Sequence, residues 1–237
     1  MKNLIGISGY ARSGKDTSAN MLIEKLSKKG ITAYKYSFAQ YIKESMGFLC
    51  GFKPQDLDGK TKEVSRLIEM DLMFFIMILN DLTGKGFIEE DDQFTLTNKW
   101  IQILEDHNLV KDQDHNSDIL YVESSPRKIF QLFGTEFARD NICQDIWLRM
   151  AEMHMEDGCV MIIPDVRFLN EVEWIKSNEG IIISVSRENR ENIGIAHSSE
   201  KSIEEIEFHH SNHVVFNDRD MDYLSKMLDE VINTEFQ

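Results

Sequence analysis

The stretch GISGYARSGKDT near the N-terminus contains glycines and a lysine at the spacing of a phosphate-binding loop. Gly9, Gly14 and Lys15 match the pattern G-x-x-x-x-G-K-[ST]. Asp16 stands where a hydroxyl belongs, and Thr17 supplies that hydroxyl one residue later. Glycines at these positions let successive backbone N–H groups point at phosphate oxygens, and the lysine reaches the β- and γ-phosphates as a mobile charge. The spacing therefore predicts a nucleoside triphosphate site, with Asp16 and Thr17 in its first helical turn.

The late hydroxyl indicates which class of phosphate-binding protein this is. A G-K-x-T ending is typical of small-molecule kinases of the nucleoside monophosphate kinase type, whereas switch GTPases and motor ATPases usually carry Ser or Thr directly after the lysine. Arg12 lies inside the loop. Its guanidinium can bind the transferring phosphate with two hydrogen bonds or stack on adenine. We expect it to contact the nucleotide, and a solvent-facing side chain is the alternative.

Composition excludes several other classes. The chain of 237 residues is long enough for one elaborated α/β domain, and its net charge of −15 argues against a nucleic-acid binder, which needs a broad basic face. The cysteines Cys50, Cys143 and Cys159 form no C-x-x-C pair, and no signal-peptide pattern is visible. We therefore expect reduced thiols and a cytoplasmic location. The longest apolar run, LMFFIMIL, is far shorter than the roughly 18 residues that span a bilayer, so we expect it in a buried helix.

Helix and strand signals alternate at both ends of the chain. Apolar runs predict strands at residues 3–8, 32–37, 159–163, 180–186 and 213–217. Amphipathic patterns predict helices after the loop, at 168–178 and at the C-terminus. Buried strands that do not alternate apolar and polar residues, separated by helices, indicate a parallel sheet covered on both faces. The predicted fold is α/β, of the P-loop NTPase type, with a five-stranded parallel sheet and with 1–43 and 158–237 as its core.

Residues 44–157 interrupt this alternation as a large, mostly helical insertion. The patterns there predict a long helix over 61–82, an acidic hairpin-like stretch at 87–97, a helix near 98–106, a polar loop at 111–118, and helices near 126–138 and 145–155. An insertion between the second and third strands is expected to cover the mouth of the sheet, where a second substrate binds. We expect the insertion to bind that substrate or to form a homodimer.

Four segments carry a resemblance to a known family: SGYARSGKDT, RKIFQLFGTEFARD followed by Trp147, IIPDVRFLNE, and HSSE with VVFND. In this order they resemble the bacteriophage deoxynucleoside monophosphate kinases. The resemblance implies transfer of a phosphoryl group from ATP, with Mg²⁺, to a deoxynucleoside monophosphate, which gives the diphosphate for DNA precursor synthesis. It also implies the host cytoplasm as the location. Residues 45–120 match no motif of the family.

Arg127 and Gln131 are four residues apart, so on a helix their side chains project from one face. From the residues alone, a surface arginine and a neutral glutamine explain this pair equally well. The resemblance implies that the face binds the acceptor, with Arg127 at its phosphate and Gln131 near its base. Gly134 and Thr135 are expected at the helix end, where the missing side chain of the glycine lets a ligand approach. Trp147 is expected either to stack on the base or to pack in the core.

The segment MIIPDVR resembles the strand-end acid of P-loop enzymes. Asp165 is expected at the carboxyl edge of the sheet, where it holds a water on Mg²⁺ or orients the acceptor, and Arg167 is expected to neutralise phosphate. Pro164 interrupts the plain motif, in which the acid directly follows the apolar run. Asp165 is therefore expected to contact the metal either directly or through water. The same alternatives hold for Thr17, and Asp16 is expected to act on the metal through water.

A polar segment at residues 187–200, RENRENIGIAHSSE, follows the fourth predicted strand. The resemblance implies a lid that closes Arg187 and Arg190 over ATP and keeps water from the transferring group. Solvated charges in a loop are the alternative for both arginines. The histidines of the nearby HHSNH have no companion cysteine pair, so a zinc site is the weaker interpretation there.

Two other functions fit parts of the pattern. Kinases that phosphorylate dephospho-coenzyme A or phosphomevalonate share the loop but need a different acceptor site. A nucleotide-operated switch is poorly supported, because the guanine-reading pattern Asn-Lys-x-Asp is incomplete at NKWI, where Ile101 takes the place of the acid. A deoxynucleoside monophosphate kinase is therefore the main hypothesis.

Overall fold

The computed structural model describes residues 3–57, 59–114, 118–187 and 198–236. The chain divides into two compact units, one formed by Met1–Phe38 with Trp147–Gln237 and the other by Ala39–Ile146. We call the first the core unit and the second the inserted unit.

Eight strands and ten α-helices are numbered in chain order within the described residues. The strands are β1 (Leu4–Ser8), β2 (Ala33–Lys35), β3 (Arg66–Asp71), β4 (Val110–Asp114), β5 (Ile119–Ser124), β6 (Val160–Val166), β7 (Ile181–Ser186) and β8 (His213–Phe216). The α-helices are α1 (Lys15–Lys28), α2 (Gln40–Leu49), α3 (Pro54–Leu57), α4 (Leu72–Gly84), α5 (Gln93–Asp106), α6 (Pro126–Gln131), α7 (Ile146–Glu152), α8 (Leu169–Ser177), α9 (Ser198–Glu205) and α10 (Met221–Glu235). Short 3-10 helices occupy Lys60–Glu63 and Glu90–Asp92, and π-helical turns occupy Leu132–Arg139 and Ile206–His210.

The core unit is built on a parallel sheet of five strands in the order β2-β6-β1-β7-β8, which confirms the predicted fold class. Helices cover both faces. Ile5 and Ile7 of the central strand β1 share one hydrophobic core with residues of α1 and α10. On the opposite face, Gly6 lies so close to α8 that a Cβ there would come within 2.6 Å of Ile175 Cδ1. Burial on both faces explains why these strands are apolar throughout.

Strand β6 runs through Pro164 to Val166, whereas the sequence predicted an end at residue 163. A proline has no N–H to donate and is therefore expected to interrupt a ladder. Here the register between β1 and β6 shifts at the proline, since Gly6 pairs with Ile163 and Ser8 pairs with Val166. The strand consequently carries Asp165 close to its carboxyl end.

The inserted unit contains an antiparallel sheet in the order β3-β5-β4, which the sequence did not predict. The long helix predicted over 61–82 is wrong in its first half. Strand β3 alternates there, because Ile68 and Met70 are buried while Leu67 is exposed, as in a half-buried strand. Helix α4 begins only at Leu72.

Two further predictions for the inserted unit are wrong. The acidic stretch at 87–97 is not hairpin-like, since α5 begins within it. The polar segment at 111–118 is not a plain loop, since β4 covers its first residues and pairs with β5. Strand β4, with the sequence VKDQD, is short and polar and gives little apolar signal. The helices predicted near 126–138 and 145–155 are present as α6 with its π-helical continuation and as α7.

Four aromatic side chains lie at the centre of the inserted unit: Phe75 of α4, Trp100 of α5, and Phe133 and Phe137 of the π-helical turn, all 0% exposed. The Phe75 ring centroid lies 5.8 Å from that of Trp100 and 5.3 Å from that of Phe137. Aromatic pairs attract at such separations. The apolar run LMFFIMIL lies in α4, and no helix among the described residues is long and apolar enough to cross a membrane.

Candidate functional site

The loop between β1 and α1 curls tightly, as its glycine spacing predicts. Gly9 has a φ of +148°, and a Cβ there would lie 2.4 Å from the carbonyl oxygen of Val185. Gly14, at the N-cap of α1, has a φ of +104°. Arg12 also lies in the left-handed region, with a φ of +63°. This conformation costs a residue with a Cβ roughly 1–2 kcal/mol, so the surrounding structure must hold the loop in place.

Lys15 is the first residue of α1 and folds back over the loop. Its ammonium donates hydrogen bonds of 2.7 and 2.6 Å to the carbonyl oxygens of Gly9 and Tyr10. Burial and the positive charge of Arg167 lower the pKa of this ammonium to about 8, although nearby carboxylates, including Asp165, oppose the shift. The lysine is therefore a partly desolvated cation that an anionic ligand would stabilise.

Asp165 is held by two hydrogen bonds from the segment after β2. Ser37 Oγ donates to one carboxylate oxygen over 2.6 Å, and the Phe38 N–H donates to the other over 3.3 Å. The side chain is half-buried, and its charge acts on Lys15. These two bonds fix the direction in which the carboxylate faces.

Arg167 follows β6 directly and is exposed. Its N–H donates a hydrogen bond of 2.7 Å to Glu171 Oε2, which also accepts one of 3.1 Å from the Phe168 N–H. Glu171 is only 2% exposed, and a buried carboxylate requires such donors. No role was predicted for Glu171 from the sequence, although its position in the first turn of α8 is typical of a capping glutamate. Glu171 thus fixes the backbone from which Arg167 projects.

The predicted metal-binding residues surround the first turn of α1. Asp16 is largely exposed and lies 3.4 Å from Lys35 Nζ, and Thr17 is half-buried. Together with Asp165 they offer hydroxyl and carboxylate oxygens, the ligands that Mg²⁺ prefers. In the part of the chain that the structure describes, His, Cys, Asp and Glu side chains form no group of three that could hold a metal. The donor set fits an ion held largely by phosphate and water.

Arg187 lies beside the loop. Its Nε donates a hydrogen bond of 2.9 Å to the carbonyl oxygen of Asn217, and a terminal nitrogen lies 3.5 Å from the carbonyl oxygen of Arg12. Most of the predicted lid at 187–200, including Arg190, lies outside the described residues. A contact of Arg187 with ATP stays a prediction.

Most of the predicted acceptor residues lie in the inserted unit. Helix α6 carries Arg127 and Gln131, and both side chains are exposed. The Arg127 Nε donates a hydrogen bond to Glu63. A carboxylate therefore lies against the guanidinium that the prediction assigns to the acceptor phosphate.

Gly134 and Thr135 do not lie at a helix end, because the helix continues as a π-helical turn through Arg139. A Cβ at Gly134 would lie 2.7 Å from Ile42 Cδ1, so this glycine permits close packing with α2 rather than approach of a ligand. Thr135 is exposed. Trp147 belongs to the core unit and is 3% exposed, as the packing interpretation predicts.

Nearly the whole chain matches one known family. A family model of deoxynucleotide monophosphate kinases covers residues 3–228. The chain belongs to this family. Among its relatives, the deoxynucleoside-5'-monophosphate kinase of Escherichia phage T5 is 32% identical over 185 residues, which cover 74% of this chain and 72% of that one. A protein named for the same activity in Acanthamoeba polyphaga mimivirus is 31% identical over 120 residues, 43% of this chain and 62% of that one.

Membership of the deoxynucleotide monophosphate kinase family makes the chain a phosphotransferase that phosphorylates deoxynucleoside monophosphates, which confirms the main prediction. Among solved structures, a dephospho-CoA kinase from Campylobacter jejuni has a TM-score of 0.41 at 10% identity and covers 98% of this chain and 96% of its own. A cobyrinic acid a,c-diamide synthase from Mycobacterium smegmatis, with bound ADP and magnesium, has a TM-score of 0.37 at 10% identity and covers 100% of this chain and 83% of its own. Similarity at this level does not bear on the acceptor.

Proposed function

We propose that ATP binds at the loop between β1 and α1, and that the deoxynucleoside monophosphate binds at the exposed face of α6. An anionic oxygen of the acceptor phosphate attacks the γ-phosphorus, and the bond from that phosphorus to the β,γ-bridging oxygen breaks. ADP leaves with the bridging oxygen, and the acceptor becomes a diphosphate. The donor site is inferred from the ammonium of Lys15, which is hydrogen-bonded inside a loop whose residues Gly9, Arg12 and Gly14 have positive φ angles.

Lys15 supplies positive charge to the donor. Its present partners are two neutral carbonyl oxygens, and a β- or γ-phosphate offers a full negative charge in their place. A bound polyphosphate would raise the pKa of this ammonium again, since a nearby negative charge favours the protonated form. By the same linkage, the protonated lysine binds the polyphosphate more tightly than the neutral one. Arg12 projects from the same loop and adds a second cation at the transferring phosphate.

Asp165 and Arg167 act at the transferring group. The carboxylate of Asp165, directed by Ser37 and Phe38, orients the acceptor or holds the metal directly or through water. Thr17 would share that ion, with Asp16 acting through water. Mg²⁺ would neutralise charge that develops on the phosphate oxygens.

Arg127 binds the acceptor phosphate, and Gln131 contacts the base. The two side chains lie about one helical turn apart on α6 and are both exposed. The ion pair of Arg127 with Glu63 is itself partly exposed, so it is weak and can be exchanged for a phosphate of greater charge. Thr135, one further turn along and also exposed, extends the same face.

An assay of ADP release with ATP, Mg²⁺ and each common deoxynucleoside monophosphate tests the proposal. We expect ADP release that depends on a monophosphate, together with formation of the matching diphosphate. Lys15→Ala is the control and should lose transfer. Release that no monophosphate stimulates would indicate a nucleotide switch, and release stimulated only by dephospho-coenzyme A would indicate the other kinase class. Either result would contradict the proposal.

A further inference from the structure

A side chain at the end of β8 contacts the phosphate-binding loop. Asn217 directly follows β8 and is 8% exposed. Its amide nitrogen Nδ2 donates a hydrogen bond of 2.8 Å to the carbonyl oxygen of Ser13. The same nitrogen packs against Gly14, since a Cβ there would lie 2.3 Å from it. The amide of Asn217 thus occupies the space that the missing side chain of Gly14 leaves.

The hydrogen bond to Ser13 sets the direction of the next N–H group. In a trans peptide the carbonyl and the following N–H point in opposite directions. A Ser13 carbonyl that faces Asn217 therefore directs the Gly14 N–H away from Asn217. This N–H belongs to the N-terminus of α1, where unpaired N–H groups bind phosphate. Asn217 consequently orients a donor that the triphosphate would meet.

The neighbouring peptide of the loop is held from the same side. The carbonyl oxygen of Arg12 lies 3.5 Å from a terminal nitrogen of Arg187, whose Nε donates to the Asn217 carbonyl. Asn217 is in turn fixed to the sheet, because its N–H donates a hydrogen bond of 2.9 Å to the Ser186 carbonyl at the end of β7. A residue with a Cβ, such as Arg12, keeps a left-handed backbone conformation only where surrounding groups hold it in place. Asn217 and Arg187 provide these surroundings.

We propose that Asn217 is a positioning residue for the phosphate-binding loop: it holds the loop in the form that receives the triphosphate, without itself touching the substrate. The inference rests on the proposed ATP site. It requires that loss of the Asn217 amide weaken ATP binding and leave binding of the acceptor unchanged.

Asn212, which directly precedes β8, offers a matched control. Its Oδ1 accepts a hydrogen bond of 2.9 Å from the N–H of Ile182, near the start of β7. It therefore also binds the backbone of the core unit, but at the end of the parallel sheet opposite to the loop. Asn217→Ala and Asn212→Ala each remove one hydrogen bond from a side chain to the backbone.

Titration calorimetry with ATP, together with steady-state kinetics and thermal unfolding, compares the two variants. We expect Asn217→Ala to weaken ATP binding about tenfold, the scale of one hydrogen bond, while the acceptor KM changes less than about twofold. Asn212→Ala should change neither constant, although it should lower the thermal midpoint to a similar extent. Equal ATP affinity in the two variants would overturn the inference.

A second variant covers the case in which Asn217→Ala does not fold. Asn217→Asp keeps the shape of the side chain but replaces the donor with an oxygen that repels the Ser13 carbonyl. We expect it to weaken ATP binding at least as strongly as the alanine variant. Parental ATP affinity in Asn217→Asp would contradict the positioning role.

Hydrogen exchange in the free protein separates this inference from the proposed function. A peptide covering the loop should exchange faster in the Asn217 variants than in Asn212→Ala or the parent chain. This readout needs neither ATP nor a monophosphate. Absence of transfer in the parent chain would refute the proposed function alone, whereas unchanged loop exchange in the Asn217 variants would refute the positioning role alone.

Discussion

At the scale of single residues, the ammonium of Lys15 makes nucleotide binding depend on pH. Its pKa in the free protein is about 8, so the group loses its charge above that pH. Affinity for ATP should then fall about tenfold per pH unit, and binding should take up a proton. Calorimetry in buffers of different ionisation enthalpy measures both effects. In Lys15→Arg the guanidinium keeps its charge, so this variant serves as the control. Constant ATP affinity in the parent chain from pH 8 to 10 would contradict this assignment.

The same pKa shift affects stability in a defined direction. The unfolded chain holds the lysine proton up to a pKa near 10.5, whereas the folded chain releases it near 8. The unfolded state therefore binds more protons between these values, and the contribution of Lys15 to the free energy of unfolding rises with pH in this window. A smaller rise in Lys15→Met, measured by denaturant unfolding, would confirm the sign.

Substitution of Lys15 by alanine should remove transfer but preserve the fold. The lysine neutralises charge on the donor phosphates, so its loss should lower kcat/KM at least about a thousandfold, or about 4 kcal/mol of barrier. The thermal midpoint should not fall, since a desolvated cation is removed. Turnover close to that of the parent chain would exclude Lys15 from the mechanism.

Arg127 and Gln131 should give different kinetic signatures. Arg127→Ala removes a charged contact that strengthens as charge shifts in the transition state, so we expect a lower kcat and a higher acceptor KM with ATP affinity unchanged. Gln131→Ala should instead alter the preference among bases, because a neutral amide distinguishes ring edges. Kinetics with ATP and acceptor varied separately test both expectations. If Arg127→Ala weakened ATP alone, α6 would belong to the donor side.

At the scale of elements, the aromatic cluster holds α4, α5 and the π-helical turn together. Phe75 is 0% exposed and contacts three other aromatic rings. Phe75→Ala should cost about 3–5 kcal/mol, from lost transfer energy and the cavity left behind. Denaturant unfolding followed by tryptophan fluorescence measures this loss. Met77→Ala on the exposed side of the same helix is the control and should cost far less, and equal losses would contradict the assigned core.

The sequence predicted the elements whose signal is local. The strands β1, β6 and β7 each contain an apolar run next to a turn, and the phosphate-binding loop lies within one short stretch. The inserted sheet was missed because β4 is polar and β3 runs directly into the apolar start of α4. The supports of the site were missed for a related reason: Ser37 and Asn217 act on partners 128 and 204 residues away, and no local pattern records such contacts.

At the scale of the whole molecule, the net charge of −15 opposes folding by self-repulsion. Added salt shortens the distance over which charges interact, from about 30 Å at 0.01 M to about 3 Å at 1 M. Sodium chloride should therefore raise the thermal midpoint, by roughly 2–4 °C for each kcal/mol gained. Scanning calorimetry with choline chloride as a second salt separates screening from binding of a particular ion. A midpoint that falls with both salts would contradict this expectation.

The pairing of β1 determines when the chain can form its nucleotide-binding site during synthesis. Leu4 pairs with Met161 and Ile5 with Ile181, so the first strand leaves the ribosome long before its partners exist. The inserted unit is one continuous stretch, Ala39–Ile146, whose strands β3, β4 and β5 pair with each other, and its sheet can form in the meantime. Asn217 is translated last of the groups that hold the loop. A nascent chain that stalls before this point therefore carries its nucleotide-binding motif without the amide that we infer to position it.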